Sequence, residues 1–386
     1  MSRSLKRAGI PLLLAGVMFA IYFMSNPTPL QWYKHYVYQS EAFLAGRVDL
    51  QDFPEYYHDI VSYEGKDYLA SPPMPAVVLL PAVAIWGVDV DQVRISMLMG
   101  AISVALVWVL LGRLGVEGRK RWLLIALFGL GTVHWEVATR GTTWLFAEVV
   151  AVFFLLLSLI EHSGRRRAFL VGLLLGLSAL SRLPVLMGSV FFLATLSQDE
   201  GFPRHPLQFL AGLAVPLAFF GYYNFIRFDS PLETGYLAHS YAAYFAADIE
   251  RYGFFSLSYI PEHLYTLLLR PAEYISHFPF LRPSPEGMGI LLTTPAVLYA
   301  ARARFSEAVN LWAGVAVVAI LLPTLLWFST GWVQFGYRYS LDFFPFLLIL
   351  ISSGMRSNLS KGIVAMVVLS IAVNLWGTLW SVNLGW

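Results

Sequence analysis

The chain has 386 residues, of which 58% are hydrophobic and only 13% charged, and it carries a net charge of +2. A soluble domain carries about a quarter charged residues, so this composition points away from a soluble enzyme, and the small net charge gives no basic field for nucleic acid. With no cysteine, disulfides and thiol chemistry are excluded. Length alone would allow two or three soluble domains, but repeated apolar stretches separated by short charged clusters read as one membrane domain over 1–386.

Arg3, Lys6 and Arg7 precede an apolar run, 8–24, followed by Ser25-Asn26-Pro27 rather than a small-x-small cleavage site. This predicts an uncleaved first span. Further apolar segments follow at 92–112, 122–138, 142–161, 168–182, 184–197, 207–225, 287–301, 309–328, 342–355 and 362–380. The fold class expected is all-α and polytopic, with about 11 transmembrane helices plus juxtamembrane helices. Pro184 suits the first turn of the second of two short helices joined by Ser181-Arg182-Leu183. Residues 74–86, bracketed by Pro72, Pro73 and Gly87, are too short for a span and fit a surface helix. Counting them as a span would turn Arg119-Lys120-Arg121 and Arg165-Arg166-Arg167 outward, against the positive-inside rule. Kept at the surface, they leave most of the 26 Lys and Arg in cytoplasmic segments. The N-terminus is then cytoplasmic and Trp386 extracytoplasmic. The two long outer segments are 25–91 and 226–286, and long segments commonly carry function.

The first outer segment opens with a short amphipathic helix from Lys34, closed by Gly46, that places Tyr36, Ser40 and Leu44 on one face and Val37 and Glu41 on another. A carboxylate-rich region follows: Asp49, Asp52, Glu55, Asp59, Glu64 and Asp67, interleaved with Tyr56, Tyr57, His58, Tyr63 and Tyr68. It reads either as a solvated loop anchored by interfacial tyrosines or as a source of catalytic carboxylates. Lys66, Arg94, Arg140, Arg182, Arg227 and Arg338 lie outside near the membrane surface, so each should have an anionic partner. Internal salt bridges would satisfy them, with Arg338–Asp342 and Arg140–Glu136 as candidate pairs. A lipid phosphate would satisfy them equally well, because arginine suits bidentate phosphate contact. His134, Glu136 and Glu148 sit among apolar neighbours, where ionisable groups are expensive. No spacing fits a zinc motif, and no nucleophile elbow or phosphate loop is present. The tyrosines of the second outer segment, among them Tyr236, Tyr241, Tyr244, Tyr252 and Tyr259, can stack on sugars or rest on lipid headgroups.

Four strings, in this order, resemble the GT-C class of integral-membrane glycosyltransferases, which includes protein O-mannosyltransferases and the aminoarabinose transferase of lipid A. They are Tyr36-x-x-x-Ser40-x-x-x-Leu44-x-Gly46, Gly65-Lys66-Asp67-Tyr68 leading to Pro72-Pro73-Met74-Pro75, Ala179-Leu180-Ser181-Arg182-Leu183-Pro184, and Tyr223 to Tyr236 with Phe335-Gly336-Tyr337-Arg338-Tyr339 beyond. The resemblance implies transfer of a sugar from a polyprenyl-phosphate donor to a lipid, glycan or protein acceptor on the outer face, usually with inversion. It implies a bacterial inner-membrane location, contact with membrane lipids and no nucleic acid. A carboxylate would act as general base, and Lys or Arg would stabilise the departing phosphate. Many members carry Asp-Glu where this sequence has Trp32-Tyr33. The base candidates are therefore Glu41, Asp49, Asp52 and Asp59. Lys66, Arg140, Arg182 and Arg338 are the phosphate candidates, with Tyr36, His58, Glu136 and Tyr337 as substrate contacts. No metal ligands are assigned, and the resemblance leaves a divalent metal open. Two other readings stand beside this one: a transporter or flippase of lipid-linked glycans, and a non-catalytic binding protein on the same scaffold.

Overall fold

The computed structural model describes residues 3–198, 201–238, 240–355 and 359–384. Trp386, expected on the outer side, lies outside the described residues. The chain begins with α1 (Arg3–Ser25) and α2 (His35–Leu44). A hairpin of β1 (Ile60–Tyr63) and β2 (Lys66–Leu69) follows. Its two-residue turn, Glu64-Gly65, has φ of 50° and 73°, the left-handed pair that matches the twist of a tight hairpin. Next come α3 (Met74–Trp86), α4 (Gln92–Arg113), α5 (Gly118–Leu130), α6 (His134–Arg140) and α7 (Thr143–His162). Helix α8 (Ala168–Ala179) is linked through a 3-10 turn, Leu183–Gly188, to α9 (Ser189–Leu196) and then α10 (Arg204–Phe228). The second outer segment holds α11 (Ala246–Tyr252), α12 (Ile260–Leu268) and an antiparallel pair, β3 (Glu273–Tyr274) with β4 (Leu281–Arg282).

The expected helix at 287–301 is broken. It begins as β5 (Glu286–Met288), continues as one turn, α13 (Ile290–Thr293), and ends as a 3-10 helix, Pro295–Arg302. Gly287 has φ of 98°, and Pro295 cannot supply an N–H to a continuing ladder. After α14 (Ala308–Leu325), β6 (Gln334–Gly336) pairs in parallel with β5, in the register Glu286↔Gln334 and Met288↔Gly336. The chain then makes a 3-10 turn, Arg338–Asp342, and closes with α15 (Phe344–Gly354) and α16 (Lys361–Leu379).

Five described helices are long and apolar enough to cross a membrane, or six if α5 and α6, bent by 46°, form one crossing. Other expected spans are shorter apolar helices: Gly9–Ser25 within α1, Ala168–Ala179, Leu183–Leu196 and Phe344–Gly354. Residues 74–86 form the short helix expected of them. Helix α7 is the most enclosed of the spans and packs against α4 and α8. Helices α8 and α10 cross through reciprocal glycines. A Cβ on Gly172 would stand 2.0 Å from the Phe209 carbonyl oxygen, and one on Gly212 would stand 1.9 Å from that of Phe169. Close approach of two backbones requires glycine here, as is common between membrane helices. This contact fixes the helix whose C-terminal end delivers Ser181-Arg182.

Candidate active site

Three arginine–carboxylate pairs gather where α6, α7, the α8–α9 link and the turn before α15 meet. The Arg182 guanidinium donates from Nη2 to Asp342 Oδ2 at 2.8 Å and from Nε to Oδ1 at 3.1 Å. Arg338 donates from Nη1 to Glu148 Oε1 at 2.9 Å, and Arg140 donates to Glu136 Oε1 at 2.7 Å and to the Val333 carbonyl at 2.7 Å. The carboxylates Glu136, Glu148 and Asp342 are buried. Removing one partner of such a pair leaves a buried charge uncompensated; Arg182–Asp342 and Arg338–Glu148 each join two separate elements, whereas Arg140–Glu136 lies within α6. Burial opposes the charge on Arg182, but Asp342 and Glu148 outweigh it and hold its pKa well above the usual arginine value.

Arg182 and Arg338 converge on one ring. Their guanidinium carbons lie 4.7 Å and 4.8 Å from the centre of Tyr339. Among the described residues, neither arginine commits all its donors to protein. Arg182 uses Nε and Nη2 on Asp342, and Arg338 uses Nη1 on Glu148. Tyr337, next to Arg338, donates its hydroxyl to His263 Nδ1 at 2.8 Å, because His263 Nε2 faces the Trp327 carbonyl at 2.8 Å and must carry the ring proton. Burial lowers the His263 pKa to about 4, so the ring is neutral and positions Tyr337.

The β1–β2 hairpin delivers a further carboxylate to the same end. Asp59 directly precedes β1 and has φ of 64°, an uncommon conformation for a residue with a Cβ. Its N–H donates to the Ser240 carbonyl at 2.9 Å, and its Oδ2 accepts from the Trp144 indole N–H at the start of α7. The reciprocal bond from Ser240 N–H to Ile60 O, at 2.9 Å, docks the second outer segment on the first and brings Tyr236 beside Asp59. The phenols of Tyr36 and Tyr236 each lie within electrostatic range of both Asp59 and Arg182. Burial pushes the Tyr236 pKa up to about 12, with Arg182 opposing and Asp59 reinforcing the shift. His35 clamps α2 to α7. Its Nε2 donates to the His58 carbonyl at 2.9 Å, and its Nδ1 accepts from the Thr143 hydroxyl at 2.8 Å. Burial lowers its pKa to about 3.

No protein-family model matches the sequence, and no curated protein matches it significantly. Among solved structures, ArnT from Cupriavidus metallidurans, bound to undecaprenyl phosphate, aligns with a TM-score of 0.55 at 16% identity, over 91% of this chain and 61% of that one. The chain has the GT-C fold. It spans about three fifths of the ArnT length. The oligosaccharyltransferase AglB from Archaeoglobus fulgidus, in complex with an inhibitory peptide and a dolichol-phosphate, aligns at 13% identity over 98% of this chain and 56% of that one, with a TM-score of 0.48.

Within this GT-C fold the expected site residues separate into groups. Asp59, Tyr36, Arg182, Arg338, Arg140, Glu136 and Tyr337 lie in or beside the cluster just described. His58 lines its hairpin edge, with its ring stacked on Trp144 at 5.1 Å. Glu41 lies apart, 3.8 Å from Arg47 and 43% exposed. Asp49 approaches the same Arg47 at 3.6 Å and accepts from Gln51 at 2.9 Å. Asp52 and Lys66 are exposed. The candidate pair Arg140–Glu136 is present. Arg338 pairs with Glu148 instead of Asp342, and Asp342 pairs with Arg182, because the 3-10 turn over Arg338–Asp342 does not stack the two side chains as an α-helix would. Trp144, Thr143 and His263 were not anticipated. The string Thr142-Thr143-Trp144 at the outer end of a span was the available signal for two of them. Among the described residues, no three His, Asp or Glu side chains are arranged to hold a metal ion.

Proposed function

We propose that this chain is a glycosyltransferase of the inner bacterial membrane, with a cytoplasmic N-terminus, that moves a sugar from a polyprenyl-phosphate donor to an acceptor hydroxyl on the extracytoplasmic face. One observation carries the reading. Two arginines with uncommitted N–H donors meet over the Tyr339 ring, at the end of the molecule where Asp59 is held in a strained conformation. Arg182 and Arg338 take the donor phosphate. Asp59 takes the acceptor proton while the acceptor oxygen bonds to the anomeric carbon, and the bond from that carbon to the phosphate oxygen breaks with inversion. The leaving group is an already acidic phosphate, so it needs charge stabilisation rather than a second proton donor. Tyr36 and Tyr236, each within electrostatic range of both Asp59 and Arg182, are the sugar contacts in this reading.

Asp59 is preferred to Glu41, Asp49 and Asp52 as the base because it shares electrostatic neighbours with Arg182, whereas Glu41 and Asp49 share Arg47. The test is transfer by the purified chain across a panel of polyprenyl-phosphate sugars and membrane acceptors. A transferred glycan is expected. Failure to bind any donor, together with no turnover, would sink the proposal in favour of a different use of the scaffold.

A further inference from the structure

At the end of the molecule opposite the arginine cluster, a cavity of about 540 Å³ opens between the α4–α5 loop, the start of α14 and the end of α15. Helix α4 separates the two ends. It starts at Gln92, bonded to the Gly141 carbonyl near α6, and runs 22 residues to Arg113, roughly 33 Å at 1.5 Å per residue. The proposed orientation places this cavity in the cytoplasm, and nothing about transferase activity depends on it.

The lining is polar and its charges are unevenly satisfied. Glu307 is taken by Arg304 at 3.1 Å and by Asn310 at 3.1 Å. Glu117 lies in the field of Arg121, whose guanidinium rests 3.6 Å above the Trp108 ring. That leaves Lys120, partly buried, with no carboxylate in ion-pair distance among the described residues and with the Arg304 cation in its field. Two hydroxyls complete the wall. Ser353 accepts from Asn310 at 2.8 Å and from the Arg304 N–H at 3.3 Å, which leaves its own proton to donate. Ser352 is only 5% exposed, lines the cavity, and has no hydrogen-bond partner among the described residues. Lys120 faces Arg304, whose carboxylate partner is Glu307, beside two hydroxyls able to donate, and an anion with several acceptor oxygens would engage all of these donors at once. The cavity volume suits a small ligand.

We propose that this cavity is a binding site for a phosphate ester, held by Lys120 and Arg304 with Ser352 and Ser353 donating to its oxygens. The ester is either the headgroup of an anionic lipid of the inner leaflet or a soluble phosphorylated molecule. Two arms separate the sources. The full chain in neutral detergent is titrated with glycerol 3-phosphate, following tryptophan fluorescence, since Trp122 lies two residues from Lys120. In parallel, its thermal unfolding is measured in nanodiscs of phosphatidylcholine with and without phosphatidylglycerol. Saturable binding in the first arm identifies a soluble ester, and stabilisation confined to the second identifies a lipid headgroup. In whichever arm responds, Lys120→Ala weakens the effect about tenfold or more, the scale of one charge-assisted hydrogen bond. Ser352→Ala weakens it less and controls for misfolding of the first variant. Arg119→Ala, an exposed charge in the same first turn of α5 that does not line the cavity, leaves it unchanged. No response in either arm, or an equal loss in Arg119→Ala, overturns the proposal.

Discussion

Replacing Asp59 by asparagine separates chemistry from architecture. Asparagine tolerates the positive φ of 64° that this position adopts, and its amide oxygen can still accept the Trp144 indole N–H. What changes is the negative charge. Converting a charge-assisted hydrogen bond to a neutral one costs about 1 kcal/mol of stability, so the protein should fold and insert. As the proposed base, Asp59 contributes about a hundredfold to ten-thousandfold to the rate, or about 3–5 kcal/mol of barrier. Asp59→Asn is therefore expected to bind donor like the wild type and to lose transfer by that factor. Asp59→Ala should lose transfer equally and unfold earlier, because alanine in the left-handed region adds about 1–2 kcal/mol of strain and leaves the indole without its acceptor. The assay is single-turnover transfer of a labelled sugar from a polyprenyl-phosphate donor, with donor affinity measured separately. Turnover in Asp59→Asn within about tenfold of the wild type would refute the assignment and direct attention to Glu41, Asp49 and Asp52.

Arg338→Ala should weaken donor binding at least tenfold and lower the unfolding temperature, since an uncompensated buried Glu148 costs about 3–5 kcal/mol; Arg338→Ala combined with Glu148→Gln should recover stability without recovering binding. Gly212→Ala should destabilise the α8–α10 crossing by about 1–3 kcal/mol or more, read by thermal unfolding in detergent, whereas unaltered stability would mean the two backbones are not in contact. His35 and His263, with pKa values lowered by burial to about 3 and about 4, stay neutral in the folded chain, while the unfolded chain protonates them below about 6.5. Their contribution to stability is complete above that value and lost as pH falls, by about 1.4 kcal/mol per unit for each histidine, so the unfolding temperature should drop between pH 7 and 5 and drop less in His263→Gln. Because the chain has no cysteine, single-Cys labelling reads the orientation directly: Lys66→Cys should react in intact cells, and Arg302→Cys only after the membrane is breached.

Features that depend on local chain chemistry were legible in the sequence. The prolines at 72 and 73 and Gly87 bracket a helix realised as Met74–Trp86, and Pro184 sits in the first turn after the Ser181-Arg182 link. Residues 287–301 are apolar enough for a span, yet β5 needs β6 as a partner, and that pairing spans 48 positions, as the bond from Gln334 to the Glu286 carbonyl shows. The site followed the same division. The outer arginines were recognisable as cations in need of anions, but the partners of Arg338 and Arg182 stand 190 and 160 residues away. Among the carboxylates of the first outer segment, nothing local distinguishes Asp59. Trp144, 85 residues distant, and the strand docking at Ser240 do.

The pairing of Arg182 with Asp342 and of Arg338 with Glu148 bears on what would follow the proposed transfer. A polyprenyl-phosphate sugar is a phosphodiester with one negative charge, and the polyprenyl phosphate left behind is a monoester with a charge of about −1.5 to −2 at neutral pH. Bare arginines would grip the spent lipid more tightly than the fresh donor, and turnover would stall on its departure. With each guanidinium already shared with a buried carboxylate, the field offered to the extra charge is reduced, and Asp342 and Glu148 stay paired with their arginines as the lipid leaves. Under the proposed function, the acidic residues of the site would serve product release.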